Sequence, residues 1–360
     1  MATTLPSYYV PDFDATLNGV PMPAELRAAV VTLRFDEALE GADRVELQLA
    51  DPHLTLLDHP LLDLNVRIDL SLGYRPNGLL HVFSGDLTGL EPNLSSQGIP
   101  TLSLSAHDFM HRLSEGTKQR GFPWYLTDSV IATIVAAENM LISIPDVAAS
   151  VVSGLGVLQQ RPRYQHKQSD YDFLRQIATE YGFDMWLDGD VLNFKLLIAG
   201  LPTPALSLVW GESLVDFAPR VSSIGQVLAV SLRVWIEALK SQLVVTVGWD
   251  GERIAIRVSP AVFGATSAGS GASLVLPDIP HDTPVDAIKW ALGELRRRIN
   301  TRVTARGSCI GDPRMRAGEV ISVRKAGKRF SSDSYRLTSV SHSLDGNGYH
   351  TAFEARLEVI

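Results

Sequence analysis

The sequence predicts a mainly β chain of α+β type, in which two antiparallel β units flank a small inserted α/β unit. Three observations carry that reading. Apolar and polar residues alternate through the first and last thirds of the chain, the middle changes to helical spacing, and a strand order from the first third recurs near the C-terminus.

The early strands follow from period-2 alternation: Val31, Leu33, Phe35; Val45, Leu47, Leu49; Val66, Ile68, Leu70, Leu72, Tyr74; and Leu102, Leu104, Ala106. Turn residues separate them at Asp51-Pro52, Arg75-Pro76-Asn77-Gly78 and Ser95-Ser96-Gln97-Gly98. That rhythm belongs to an antiparallel barrel or sandwich rather than a βαβ fold. The first unit is placed at residues 1–115.

From Thr127 the period becomes helical, with Thr127 as cap and Val130, Ile131, Ile134 and Val135 at 3/4 spacing. A second helix is capped by Ser169, carries Asp170 and Asp172 in its first turn, buries Leu174, Ile177, Ala178 and Tyr181, and ends at Gly182. A hairpin follows, its strands alternating through Phe183, Met185 and Leu187, then Leu192, Phe194 and Leu196, about an Asp188-Gly189 turn. These elements form an α/β unit at 116–200, closed by Gly200-Leu201-Pro202.

Alternation resumes at Val230, Leu232, Val234, Ile236 and again at Leu243, Val245, Val247, opening a second β unit at 201–360. An insertion at about 251–300 holds a flexible stretch, Gly264 to Ser273, and a helix with Thr283 as cap, Pro284 at its first position and Val285, Ile288, Leu292, Leu295 and Ile299 as its stripe. Strands return at Ile321 and Val323, through Tyr335 to Leu344, and at Thr351, Phe353, Ala355, Leu357 and Val359. The recurrence aligns Phe83-Ser84, Gly98 and Thr101 with Phe330-Ser331, Gly348 and Thr351, at spacings of 18 and 21 residues between the first and last landmarks.

At 360 residues, 45% hydrophobic and 20% charged, the chain has room for two or three domains. The uncharged run Ala261 to Pro277 is too rich in Gly, Ser and Ala to hold itself in a bilayer, and the N-terminus lacks the basic and apolar regions of a signal peptide. The expectation is a protein folded where it is made, without membrane insertion. The single cysteine, Cys309, lies in a strand-like segment without a neighbouring His, which leaves neither an internal disulfide nor a Cys-based metal site. A net charge of -8 argues against generic nucleic-acid binding. Between Pro284 and Phe330, however, 12 Lys or Arg stand against 4 acids. Such a segment is either a solvated face or a docking surface for an acidic partner, and Arg296, Arg297 and Arg298 are its densest part.

Catalytic patterns are weak. His107-Asp108-Phe109-Met110-His111 would put two histidines on one helix face but lacks the Glu that follows the first His in a zinc-protease motif. Asp188 and Asp190 flank a hairpin tip, where charge is expected because the tip is wet. No nucleophile elbow, phosphate loop or dinucleotide fingerprint stands in a strand-to-helix setting, so the expectation is a non-enzyme without cofactor or metal.

Two segments carry a family resemblance. The run Gln168-Ser169-Asp170-Tyr171-Asp172-Phe173-Leu174-Arg175 through Tyr181-Gly182-Phe183, with Trp186 and Asp188-Gly189-Asp190, closely resembles the helix-plus-hairpin signature of the phage late control protein D family of tail hubs. The second comprises Gly311-Asp312-Pro313, Gly318, Tyr335 through His342, and Gly348-Tyr349-His350-Thr351-Ala352-Phe353. It resembles that family's closing pattern, and the hub portion of type VI secretion spike proteins is similar.

The matched glycines suit turns and positive φ, and the aromatics suit strand faces. The resemblance implies two tube-like barrels per chain and a baseplate hub of a contractile tail or injection system. It implies a homotrimer that adapts a hexameric tail tube to a trimeric spike among other baseplate proteins. The chain reaches Ile360 directly after its last strand, so the spike is expected to be a separate protein. Competing readings are a baseplate-associated peptidoglycan-degrading enzyme and a carbohydrate-binding β module.

Overall fold

The computed structural model describes residues 10–95, 98–144, 162–181, 183–195, 203–222, 227–236, 240–250, 253–260, 273–275 and 284–358. Gly182, the Gly200 to Pro202 linker, Gly264 to Gly271 and the cap Thr283 lie outside the described residues. The first part contains β1 (Val10–Leu17), β2 (Val20–Pro21), α1 (Ala24–Ala29), β3 (Val30–Ala38), β4 (Arg44–Ala50), β5 (Arg67–Arg75), β6 (Gly78–Asn93), β7 (Thr101–Asp108) and the single turn α2 (Met110–Leu113). Then come β8 (Lys118–Phe122), α3 (Asp128–Glu138), β9 (Arg163–Gln168), α4 (Asp170–Tyr181), β10 (Asp184–Asp188) and β11 (Val191–Lys195). The last part holds β12 (Leu206–Val209), β13 (Leu214–Val221), β14 (Ala229–Ile236), β15 (Ser241–Trp249), β16 (Ile254–Pro260), β17 (Ser273–Val275), α5 (Pro284–Ile299), β18 (Val303–Ile310), β19 (Val320–Arg324), β20 (Ser332–Asp345) and β21 (Gly348–Leu357).

Strands dominate, and 13 of them form one sheet in the order β13-β18-β21-β20-β3-β4-β7-β6-β5-β1-β2, with β12 and β19 attached beside β20. The alternation read from sequence is the burial pattern: Leu33, Phe35, Val45, Leu47, Leu49, Ile68, Leu70, Leu102 and Leu104 all point into one core. A second core, with Tyr335, Leu337, Val340 and Phe353, lies under β12, β13 and β18 to β21. Both end strands of the sheet path are antiparallel to their neighbours, and within the sheet only β12 and β19 pair in parallel.

The two halves of the sheet share a strand order. Pairings run β1-β5-β6-β7-β4-β3 in the first half and β12-β19-β20-β21-β18-β13 in the second. The match extends to backbone detail. Leu87 accepts a hydrogen bond from the Asn65 amide and donates to Val66, while Leu337 accepts from Gly318 and donates to Glu319. Asn65 and Gly318 both have positive φ, 64° and 89°. A bulge then follows each leucine, between Leu87 and Gly89 against β7 and between Leu337 and Ser339 against β21. Leu87 thus corresponds to Leu337, which puts Phe83 opposite the position of Asp333 rather than Phe330. The Phe-Ser landmark taken from sequence is three residues out of register, because strand alternation specifies a face but not which of several turns along it is equivalent.

The α/β part packs Leu113, Ile131, Val135, Phe173, Leu174, Ile177 and Leu187 into its own core. Its helices start as the sequence demands: Thr127 Oγ1 accepts from the Val130 amide, and Ser169 Oγ accepts from the Asp172 amide while donating to the Asp172 carboxylate.

Two readings need correction. Val230 to Ile236 and Leu243 to Val247 do not open the second half of the large sheet. They are β14 and β15 of a separate sheet, ordered β16-β15-β14-β17, whose core is closed by Ile288, Leu295 and Ile299 of α5. The inserted part therefore begins before residue 251; alternation alone does not say which sheet a strand joins. His107 and His111 do not share a helix face either. His107 lies in β7, its Nδ1 2.6 Å from the Thr88 hydroxyl, and His111 sits in α2. Strand geometry runs through Asp108, because its amide continues the ladder onto the Asp43 carbonyl. Among the described residues no helix is long and apolar enough to cross a membrane.

Candidate assembly seam between the β halves

The two halves meet where β3 pairs antiparallel with β20, from Leu33 opposite Leu344 to Ala38 opposite Ser339. On the inner side Phe35 and His342 face each other, rings stacked 5.7 Å apart at 8°. His342 is fully buried and bonded at both nitrogens: Nε2 lies 3.0 Å from the Met315 carbonyl, and Nδ1 lies 2.9 Å from the Tyr349 hydroxyl and 3.0 Å from that of Thr351. A carbonyl only accepts, so Nε2 carries the proton and Nδ1 receives the hydroxyls. Burial depresses the His342 pKa to about 4 and raises that of Tyr349.

Several residues of the closing pattern support this ring. Gly311 leaves no room for a Cβ, which would fall into the Tyr349 ring. Its amide donates to the Tyr349 carbonyl, and its carbonyl accepts from Tyr74 Oη at 2.9 Å, tying β5 to the second half. Asp312 is buried; its amide donates to Thr351 Oγ1 and its carboxylate takes Arg314 through two nitrogens. Pro313 is half-buried in the same turn. Gly318 and Gly348 take positive φ, Gly348 in the hairpin between β20 and β21. Phe353 is buried against Gly307, where a Cβ would come within 2.5 Å of its ring. Tyr335 is wholly buried, edge-on to Phe217, with its hydroxyl unbonded.

Charge is buried across the seam. Arg316 Nε donates to Glu37 on β3 at 2.9 Å, and the Ala317 amide donates to the same oxygen at 3.0 Å. Asp43 and Asp108 are buried close by, and burial raises all three carboxyls, Asp108 to about 7. Repulsion from Glu37 lifts Asp43 further, and Arg316 lowers both. Arg316 is half-buried, whereas Arg336 is wholly buried and reaches Asp184 of the hairpin at 2.7 Å and Glu358 at 3.7 Å, joining β20, β10 and the chain beyond β21. Arg316 and Arg336 fall within the closing pattern, whereas Glu37 and Glu358 belong to neither matched segment. The signal for Glu37 was present, since the alternation of Leu33 and Phe35, extended by two residues, puts it on the buried face.

The helix-plus-hairpin residues lie elsewhere. Phe173 and Leu174 are buried in the α/β core, Phe173 stacked on Phe122 at 5.5 Å, and Tyr171 Oη accepts from Arg175. Trp186 is half-buried opposite Asn193, and Gly189 takes φ 59° at the hairpin tip. Asp190 of that tip faces Arg67 of β5 at 3.4 Å, so it docks the hairpin onto the first half. Arg296, Arg297 and Arg298 end α5 and diverge: Arg296 turns inward, 3.9 Å from Glu358, while Arg297 and Arg298 both pair with Glu294.

Solved structures that share this fold include three phage-tail or secretion-system proteins. The 43 kDa tail protein of prophage MuSo2 from Shewanella oneidensis is 14% identical, with 96% of this chain and 98% of that one covered at a TM-score of 0.66. A tail protein from Neisseria meningitidis MC58 is 14% identical, with 97% of each chain covered and a TM-score of 0.63. An E. coli component of the type VI secretion system, described as similar to T4 bacteriophage tail proteins gp27 and gp5, is 15% identical, with 95% of this chain and 76% of that one covered at 0.59. At such identities the likeness is one of fold. No curated protein sequence matches. The sequence matches the Alg8 N-terminal domain family over residues 58–346, the larger part of its length, and the chain belongs to that family.

Proposed function

We propose that the chain is a structural baseplate hub of a contractile phage tail or phage-like injection system, a homotrimer that adapts a hexameric tail tube to a trimeric spike. The observation that carries this reading is the strand order found twice in one sheet, joined edge to edge at β3 and β20. Two copies of one unit per chain let three chains offer six similar faces to a sixfold tube while keeping threefold symmetry for the spike. In this reading the two halves of the sheet are two tube-like barrels, and the α/β part at 116–200 is an insert between them. The tail proteins and the type VI component that share the fold support it. The protein would be made and assembled in the bacterial cytoplasm and carried in the particle, with tube, spike and other baseplate proteins as partners.

The carboxyls most perturbed by their surroundings, Glu37, Asp43 and Asp108, lie beneath the surface, where a cell-wall polymer does not reach them. Their place in the seam favours a scaffold over a hydrolase. Solution mass tests the hub reading: a trimer, alone or with tube and spike proteins, is expected. A chain of 39.3 kDa that stays monomeric with both present would overturn it. Hydrolysis of purified peptidoglycan would favour the enzyme instead.

A further inference from the structure

The duplicated strand order leaves two edges open. The edge of β20 that pairs with β3 corresponds to residues 89–94 along β6, and β3 itself corresponds to β13. Among the described residues no strand pairs with that stretch of β6 on its β5 side, or with the outer edge of β13. Transferring the β3–β20 register through Leu87 and Leu337 on one side, and through Val45 and Ala305 opposite Ala106 and Ala355 on the other, gives one alignment. Leu90 falls opposite Val221, Glu91 opposite Arg220, Pro92 opposite Pro219, Asn93 opposite Ala218 and Leu94 opposite Phe217.

That alignment is chemically matched. On the side corresponding to Phe35 and His342 every pair is apolar, and it covers Leu94 and Val221, which are 61% and 43% exposed. On the other side Glu91 meets Arg220, two exposed charges of opposite sign that form no ion pair among the described residues. Pro92 and Pro219 form no hydrogen bonds with each other. In this alignment they take the place of Phe35 and His342; lacking N–H groups they add ring contact but no ladder hydrogen bonds, so pairing at these edges depends on the flanking residues and disfavours strands that do not match them.

We propose that residues 89–94, the end of β6 and the residue after it, pair antiparallel with residues 217–222, the end of β13 and the residue after it, of a second copy of this chain, repeating between chains the register of the seam that β3 and β20 make within one. The proposal rests on the hub reading and identifies its subunit interface. The contact is heterologous, one edge on each side, and the threefold symmetry of the hub reading is what closes three copies into a ring rather than an open filament.

Engineered disulfides test it. Glu91 and Arg220 would form a non-hydrogen-bonded pair with Cα atoms about 4.5 Å apart, within disulfide range. The native Cys309 is buried and does not compete. A chain carrying Glu91→Cys, co-expressed with a differently tagged chain carrying Arg220→Cys and oxidised, is expected to give a covalent heterodimer on a non-reducing gel. Pairing Asn93→Cys with Arg220→Cys, two residues out of register, is expected to give little. Absence of the Glu91–Arg220 link in particles whose solution mass is a trimer would overturn this interface and leave the hub reading standing. Monomers throughout, with tube and spike proteins present, would overturn both.

Discussion

Glu37 and Arg316 stand 279 residues apart in the chain and 2.9 Å apart across the seam, where the carboxylate also takes the Ala317 amide. Removing one member of a buried pair strands the other in a medium that solvates it poorly, and typically costs about 3–5 kcal/mol. Arg316→Met is therefore expected to lower unfolding stability in urea by about that much. Glu37→Gln in the same chain should recover part of the loss. A change below about 1 kcal/mol in the single variant would show that the pair does not hold the halves together.

Asp108 makes the neighbourhood of the seam lose stability as pH rises from acid towards neutrality. Folded, it keeps its proton up to about pH 7; unfolded, it loses it near the ordinary carboxyl value, about 3.9. The folded state binds more protons between those values, so this group's stabilising contribution is full below about pH 4 and is lost as pH rises to about 7. Asp108→Asn removes that dependence. Its Tm relative to the parent should be several degrees more favourable at pH 8 than at pH 4, and equal differences at both would refute the assignment.

His342 works in the opposite direction. Its folded pKa of about 4 lies below the unfolded value of about 6.5, so stability present above pH 6.5 is lost as pH falls to about 4. The shift corresponds to an order of about 3 kcal/mol at full effect. His342→Gln should be less stable at neutral pH, where ring stacking on Phe35 is gone, yet lose less on acidification to pH 4. Parallel pH profiles would mean that His342 is not the group responsible.

Gly311→Ala is expected to destabilise by about 1–3 kcal/mol, since a methyl group there must displace the Tyr349 ring and with it the hydroxyl that serves His342. Near-ultraviolet circular dichroism should report the moved tyrosine. An unchanged spectrum and Tm would indicate that the turn yields instead.

Much of this was legible before the structure. Alternation through Leu33, Phe35, Val45 and Leu47 specified strands and their buried faces, and caps at Thr127 and Ser169 specified where helices begin. The register of the repeat was not legible, because Leu87 and Leu337 are matched by hydrogen bonds to Asn65 and Gly318 rather than by a shared local motif. Nor was the sheet that β14 joins, since a strand's pattern is the same whichever partner it takes.

By itself, then, the sequence determined the strands, their inner faces, the helix starts and the turn glycines, all of which depend on neighbours within a few residues. Tertiary structure alone decided that β3 pairs with β20, that Glu37 meets Arg316, and that β6 and β13 keep edges unpaired among the described residues. The reason is physical: local periodicity states which side of a strand is buried, whereas edge pairing and buried charge depend on which distant segment arrives there.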